Sequence, residues 1–241
     1  MNRILNNIDT FSFDYLPGMT HLYFPKDRMY AGKYIKRITF FSSDDATKDY
    51  RGYDLVPRSF FDGLYVNIYS EDKREIFKDM CCANLLAGVN LITDISDKIN
   101  YDLSGIAVLS DYSALTPGQT YAIVCTVEYD ERIISVEEPT NVYTVTIPTS
   151  ATKTFYNFRD YTIESLKEFV IKRIVAKNNT NFYLTIRNTN GNVYNEIPGA
   201  MLAQNKFTFD VMLPNVRMDV YNTFIELPDP VNGEIVLEIY Y

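Results

Sequence analysis

The stretch Phe182-Tyr183-Leu184-Thr185-Ile186-Arg187-Asn188-Thr189-Asn190-Gly191-Asn192-Val193-Tyr194 decides the fold class. Phe182, Leu184 and Ile186 alternate with Tyr183, Thr185 and Arg187, the period of a strand that lays one face on a core. Asn190-Gly191 tolerates positive φ, and Val193-Tyr194 resumes the β-rich pattern, so the segment predicts a hairpin. The same alternation recurs. Leu64, Val66 and Ile68 oppose Tyr65, Asn67 and Tyr69, and Ile235, Leu237, Ile239 and Tyr241 oppose Glu234, Val236, Glu238 and Tyr240. Residues 121–129 are apolar at almost every position, as in a central strand covered on both faces. Residues 144–147 and 207–211 read as further strands, and Pro117-Gly118 and Asn232-Gly233 as turns.

Two segments carry helical spacing instead. Ser70-Glu71-Asp72 reads as a helix start, with Ile76, Phe77, Met80, Cys81 and Leu85 on one stripe and Gly88 as the stop. Residues 162–170, with Ile163, Leu166 and Phe169, form the other.

The chain also echoes itself. Tyr34-Ile35-Lys36-Arg37-Ile38 recurs as Val170-Ile171-Lys172-Arg173-Ile174, and each copy is followed by an alternating strand, residues 64–69 and 182–187. Tyr101-Asp102-Leu103 matches Phe209-Asp210-Val211, and residues 123–129 match residues 235–241 in pattern. Ordered recurrence is the mark of a repeated architecture. The expectation is an all-β fold of two tandem antiparallel β-sandwich domains, jelly-roll or immunoglobulin-like, with room for one or two short helices. The divisions fall at residues 1–138, a linker or shared strand at 139–153, and residues 154–241 as the duplicate. Glu137-Glu138-Pro139 and Pro148-Thr149-Ser150 bracket the middle segment.

Composition narrows the function classes. Twenty Tyr and fifteen Phe with no Trp favour pleated, half-buried surfaces, and Tyr suits interfaces because one end is apolar and the other polar. A net charge of −8, with no basic grouping longer than Lys36-Arg37 or Lys172-Arg173, argues against a nucleic-acid partner. No stretch reaches the roughly 18 apolar residues of a membrane span, so no membrane partner is expected. The first residues, Met1-Asn2-Arg3-Ile4-Leu5-Asn6-Asn7, lack a signal-peptide core, and the Cys81-Cys82 pair with Cys125 makes a poor disulfide set. Synthesis in a reducing cytosol is the expectation.

Catalytic material is sparse. His21 is the one histidine and has no nucleophile-elbow sequence to serve. Zinc-ligand spacing and phosphate-cradling Gly-rich loops are both missing. Carboxylates remain, as Asp44-Asp45, Glu71-Asp72 and Glu137-Glu138, in polar turn-like contexts. No catalytic, cofactor-binding or metal residue is assigned, and no enzyme activity is expected. The outward tyrosines Tyr65, Tyr69, Tyr183 and Tyr240 are the interface candidates.

Residues 182–192 together with Asn195-Glu196-Ile197-Pro198, the short polar amino terminus and a chain that stops within its last strand resemble structural proteins of tailed-bacteriophage virions. The likeness is to the tail-ring and auxiliary proteins of crAss-like phages. It implies a rigid β-protein of the virion, in a tail or neck ring or as an auxiliary capsid component. It also implies contacts with copies of itself, as a homo-oligomer or ring, and with other virion proteins. Two alternatives stay open. One is a carbohydrate-binding β-sandwich of phage-fibre or adhesin type, which needs aromatic and acidic side chains in one groove. The other is a carboxylate-based glycoside hydrolase, which needs two acids converging in a cleft.

Overall fold

The computed structural model describes residues 2–89, 95–135, 141–162, 170–188, 191–203 and 212–241. The chain divides into two compact units. The N-terminal unit comprises Asn6–Asp49 and Tyr53–Glu131; the C-terminal unit comprises Met1–Leu5, Tyr50–Gly52 and Arg132–Tyr241. The described secondary structure is strand with short 3₁₀ turns, in keeping with the all-β expectation.

The strands run in chain order as β1 (Asn2–Tyr15), β2 (His21–Tyr23), β3 (Tyr34–Phe41), β4 (Leu64–Tyr69), β5 (Glu75–Cys81), β6 (Asp97–Lys98), β7 (Gly105–Val108) and β8 (Tyr121–Ser135). They continue as β9 (Val142–Thr149), β10 (Phe155–Asn157), β11 (Val170–Ala176), β12 (Tyr183–Asn188), β13 (Gly191–Pro198), β14 (Met212–Arg217), β15 (Phe224–Glu226) and β16 (Gly233–Tyr240). Four sheets result, ordered β1-β8-β3-β6, β2-β7-β4-β5, β9-β16-β11-β14 and β10-β15-β12-β13. The last two orders are the first two with every label advanced by the same step. Each pair of sheets has the strand order of a jelly roll, the double-sheet solution to open sheet edges.

The correspondence in strand order extends to the register. Ile38 faces Val127 in the β3–β8 ladder, and its counterpart Ile174 faces Ile239 in β11–β16. One rung away Arg37 faces Glu128, where Arg173 faces Tyr240. The echo of Tyr101-Asp102-Leu103 at residues 209–211 lies outside the described residues, as do the expected strand at 207–211 and most of the expected helix at 162–170.

Period-two burial builds the N-terminal core. Leu64, Val66 and Ile68 of β4 share one apolar cluster with Ile123, Cys125 and Val127 of β8, which belongs to the facing sheet. Phe11, Phe13 and Phe24 meet edge-on with centroids 5.0–6.4 Å apart. Each such side chain stabilises the fold by about 1.5–3 kcal/mol through removal from water. Residues 121–129 are buried throughout, as their unbroken apolar run predicts.

Two expectations need adjustment. Residues 70–88 are not a helix but the turn into β5, β5 itself and a 3₁₀ turn at Cys82–Leu85. The cause is a β-bulge: β4 advances from Val66 to Ile68 while β5 retreats from Met80 to Phe77, so three residues oppose two. That extra residue puts Phe77 and Met80 at helical spacing along a strand, and Asp79 takes φ 46° to make it. Second, residues 182–186 do not alternate between core and surface, since Phe182, Tyr183, Leu184, Thr185 and Ile186 are all buried. The strand expected at residues 144–147, inside the segment 139–153 read as a linker or shared strand, is β9, which ends its sheet order and pairs with β16 along its whole length. The acids Glu137-Glu138 lie outside the described residues.

Candidate interaction face

The outer face of the β2-β7-β4-β5 sheet brings together three tyrosines, Tyr23, Tyr65 and Tyr69. In one cross-strand row His21 faces Ala107, Ala107 faces Tyr65, and Tyr65 faces Cys81. In the next, Tyr23 faces Gly105, which faces Asn67, and beyond it Tyr69 faces Glu75. Directly opposed residues share a face, so Tyr23, Tyr65 and Tyr69 rim a patch whose middle holds Ala107, Gly105 and Asn67. Tyr23 is 69% exposed; Tyr65 and Tyr69 are half-buried, while Leu64, Val66 and Ile68 between them point to the core.

Local chemistry shapes this face. A Cβ on Gly105 would sit 2.8 Å from the Leu22 carbonyl oxygen and 3.6 Å from the Tyr23 ring, so glycine lets β2 approach β7 and the Tyr23 ring lie over the backbone. Asn67 Oδ1 accepts a hydrogen bond from the Asp79 N–H at 2.9 Å, satisfying the bulged backbone of β5. Thr20 Oγ1 and His21 Nδ1 lie 3.0 Å apart, which ties the histidine to its neighbour at the strand's start. Tyr23 escaped the sequence reading because three residues, His21-Leu22-Tyr23, are too short a strand to register as alternation.

The other two expected tyrosines belong elsewhere. Tyr183 is 1% exposed and packs edge-on to Tyr50 of the same unit with centroids 6.2 Å apart, so it is a core residue and not an interface residue. Tyr240, half-buried on β16, donates its hydroxyl to Glu238 Oε2 at 2.7 Å, and its ring sits under the Arg173 guanidinium at 5.1 Å. The Tyr240 hydroxyl, aided by Lys177, holds the Glu238 carboxyl below the usual carboxylate range. Its pKa is lower in the folded than in the unfolded chain. The stabilisation is therefore present above the ordinary glutamate pKa and is lost as pH falls through the depressed value. Tyr240→Phe should therefore lower the denaturant midpoint at neutral pH, followed by circular dichroism, and the difference from wild type should vanish in strong acid, below the depressed value.

Grooves offer less chemistry. One of about 480 Å³ in the N-terminal unit is lined by Pro57, Phe60, Leu109 and Leu115, with Asp62 and Asp111 among its walls. The Ser113 backbone N–H and hydroxyl hold the Asp111 carboxyl low, the opposite of what a general acid needs. A second, of about 350 Å³ in the C-terminal unit, is lined by Tyr50, Arg51, Phe155 and Pro228, and Glu226 is the one carboxylate on its wall. Burial pushes the Glu226 carboxyl up, but among the described residues lining this groove there is no second acid. The Cys82 and Cys125 thiols are pushed up by burial, away from nucleophilic thiolates. Among the described residues no group of three His, Cys, Asp or Glu side chains is placed to hold a metal ion. No family model, curated protein or solved structure matches this chain.

Proposed function

We propose that this chain is a non-enzymatic structural subunit of a multi-protein assembly, of the phage-virion tail-ring, neck-ring or auxiliary-capsid type that its sequence resembles. Its work is to present rigid β-faces to copies of itself and to other structural proteins. The observation that carries this reading is the Tyr23–Tyr65–Tyr69 face. Large amphipathic rings surround Ala107, Gly105 and Asn67, on a sheet whose other face packs on the core. Such a surface fits a complementary protein face, where desolvated tyrosines dominate binding energy.

Sedimentation velocity across a range of concentrations tests the proposal. A discrete oligomer of fixed copy number is the expected result; a 27.9 kDa monomer at every concentration contradicts it. One observation favours a carbohydrate-binding module instead. Phe155, 43% exposed, stacks on Phe224 at 4.6 Å beside Glu226, the aromatic-plus-acid pairing that a sugar-binding groove requires. A monomer that binds defined sugars on a glycan array, and loses them on Phe155→Ala, would establish that reading.

A further inference from the structure

β9 is an open edge strand. It ends the order β14-β11-β16-β9, and among the described residues no strand lies on its other side. The side facing out is set by its pairing with β16. Asn141 and Tyr241 exchange both backbone hydrogen bonds, at 3.1 and 3.0 Å, so odd-numbered residues bond inward. The N–H and C=O groups of Val142, Thr144 and Thr146, with the carbonyl of Pro148, therefore point away from the sheet. Pro148, which has no N–H, sits on the side where none is needed for β16. Val142 is 52% exposed, and Thr144, Thr146 and Pro148 are exposed as well.

Edge strands of this kind are normally blunted by charge, bulges, shortness or cover. The chain uses these devices elsewhere. β2, β6 and β10 are two or three residues long, and β5 and β13 carry register shifts. β1 holds the same place in its sheet as β9 does. Its edge is engaged by Arg28, which bonds Asp9 Oδ1 at 2.6 Å and donates to the Thr10 carbonyl, while the Met29 N–H donates to Asp9 at 3.1 Å. Among the described residues β9 is neither short, bulged nor covered, and Pro148 near its end is the one blunting feature it carries. Its sequence Val-Tyr-Thr-Val-Thr-Ile-Pro-Thr contains no charged residue, and all eight rungs with β16 are in continuous register.

We propose that β9 pairs antiparallel with β9 of a second copy of this chain, about a two-fold axis at Val145, joining two C-terminal units through one continuous sheet. The inference rests on the reading of the chain as an assembly subunit. The strand is complementary to itself. With Val145 on the axis, Thr144 lies opposite Thr146 of the second copy and Val142 opposite Pro148. Every outward backbone donor then meets an acceptor. No like charges face each other, the condition that defeats most self-pairing edges. Thr–Thr cross-strand pairs are themselves favourable.

The test combines mass and hydrogen exchange on the full chain. At concentrations where the wild type is assembled, three amides in residues 142–149 beyond those bonded to β16 should exchange on the order of tenfold or more slowly than in the dissociated chain. The double variant Thr144→Lys/Thr146→Lys should weaken this contact on the order of tenfold or more and halve the copy number of the assembly. Should that variant fail to fold, exchange in the wild type decides alone. An assembled chain whose extra amides exchange unprotected, or whose mass ignores the two lysines, would overturn edge pairing and leave the subunit reading intact. A wild type that stays monomeric throughout removes both.

Discussion

Tyr183→Ala should lower the unfolding free energy by about 3–5 kcal/mol, seen as a fall in the denaturant midpoint at an unchanged slope. Tyr183 is 1% exposed, sits mid-sheet between Pro198 of β13 and Glu226 of β15, and packs against the ring of Tyr50. Truncation removes the contact and leaves a cavity among neighbours that are themselves buried, including Phe182 and Leu184. The size matters because a domain's net stability is itself only about 5–15 kcal/mol. The same substitution at Tyr65, its counterpart in the repeat, should cost about 1 kcal/mol or less, since that ring is half-buried on an outer face. The contrast separates core tyrosines from surface tyrosines that share a sequence pattern.

Tyr65→Ala/Tyr69→Ala should do the reverse. Thermal unfolding and the far-ultraviolet spectrum should stay close to wild type, while self-association or binding to a partner weakens by about 2–4 kcal/mol, roughly 30- to 1000-fold in Kd. The physical reason is that these rings are half-buried on an outer face, and under the proposed assembly a neighbouring subunit covers the part that remains exposed. Loss of folding together with loss of assembly would count against this account, because it would assign the tyrosines to the fold.

Much of this architecture was legible in the residues, and the exceptions have specific causes. Alternation at residues 64–69 and the apolar run at 121–129 gave the right strands with the right exposure, because side-chain direction follows from the period alone. The recurrence of Ile-Lys-Arg-Ile at residues 35–38 and 171–174 marked equivalent strands, and the ladders place Ile38 and Ile174 at equivalent rungs. The β5 bulge defeated the same logic, since one extra residue turns a period of two into an apparent helical spacing. Tyr183 was misplaced because its cover comes from Tyr50, far away in sequence. Tyr23 and the open side of β9 share that difficulty. Which strands lie side by side depends on non-local pairing, to which local pattern is blind.

Exposure of the tyrosine face in the assembled state is the most direct measurement. Tyrosine nitration, read residue by residue by mass spectrometry, compares the assembled chain with its dissociated form. Tyr23, Tyr65 and Tyr69 should react on the order of tenfold more slowly once assembled, as expected for rings taken out of water by a neighbouring subunit. Equal reaction rates at all three in both states would contradict a role for this face in holding subunits together.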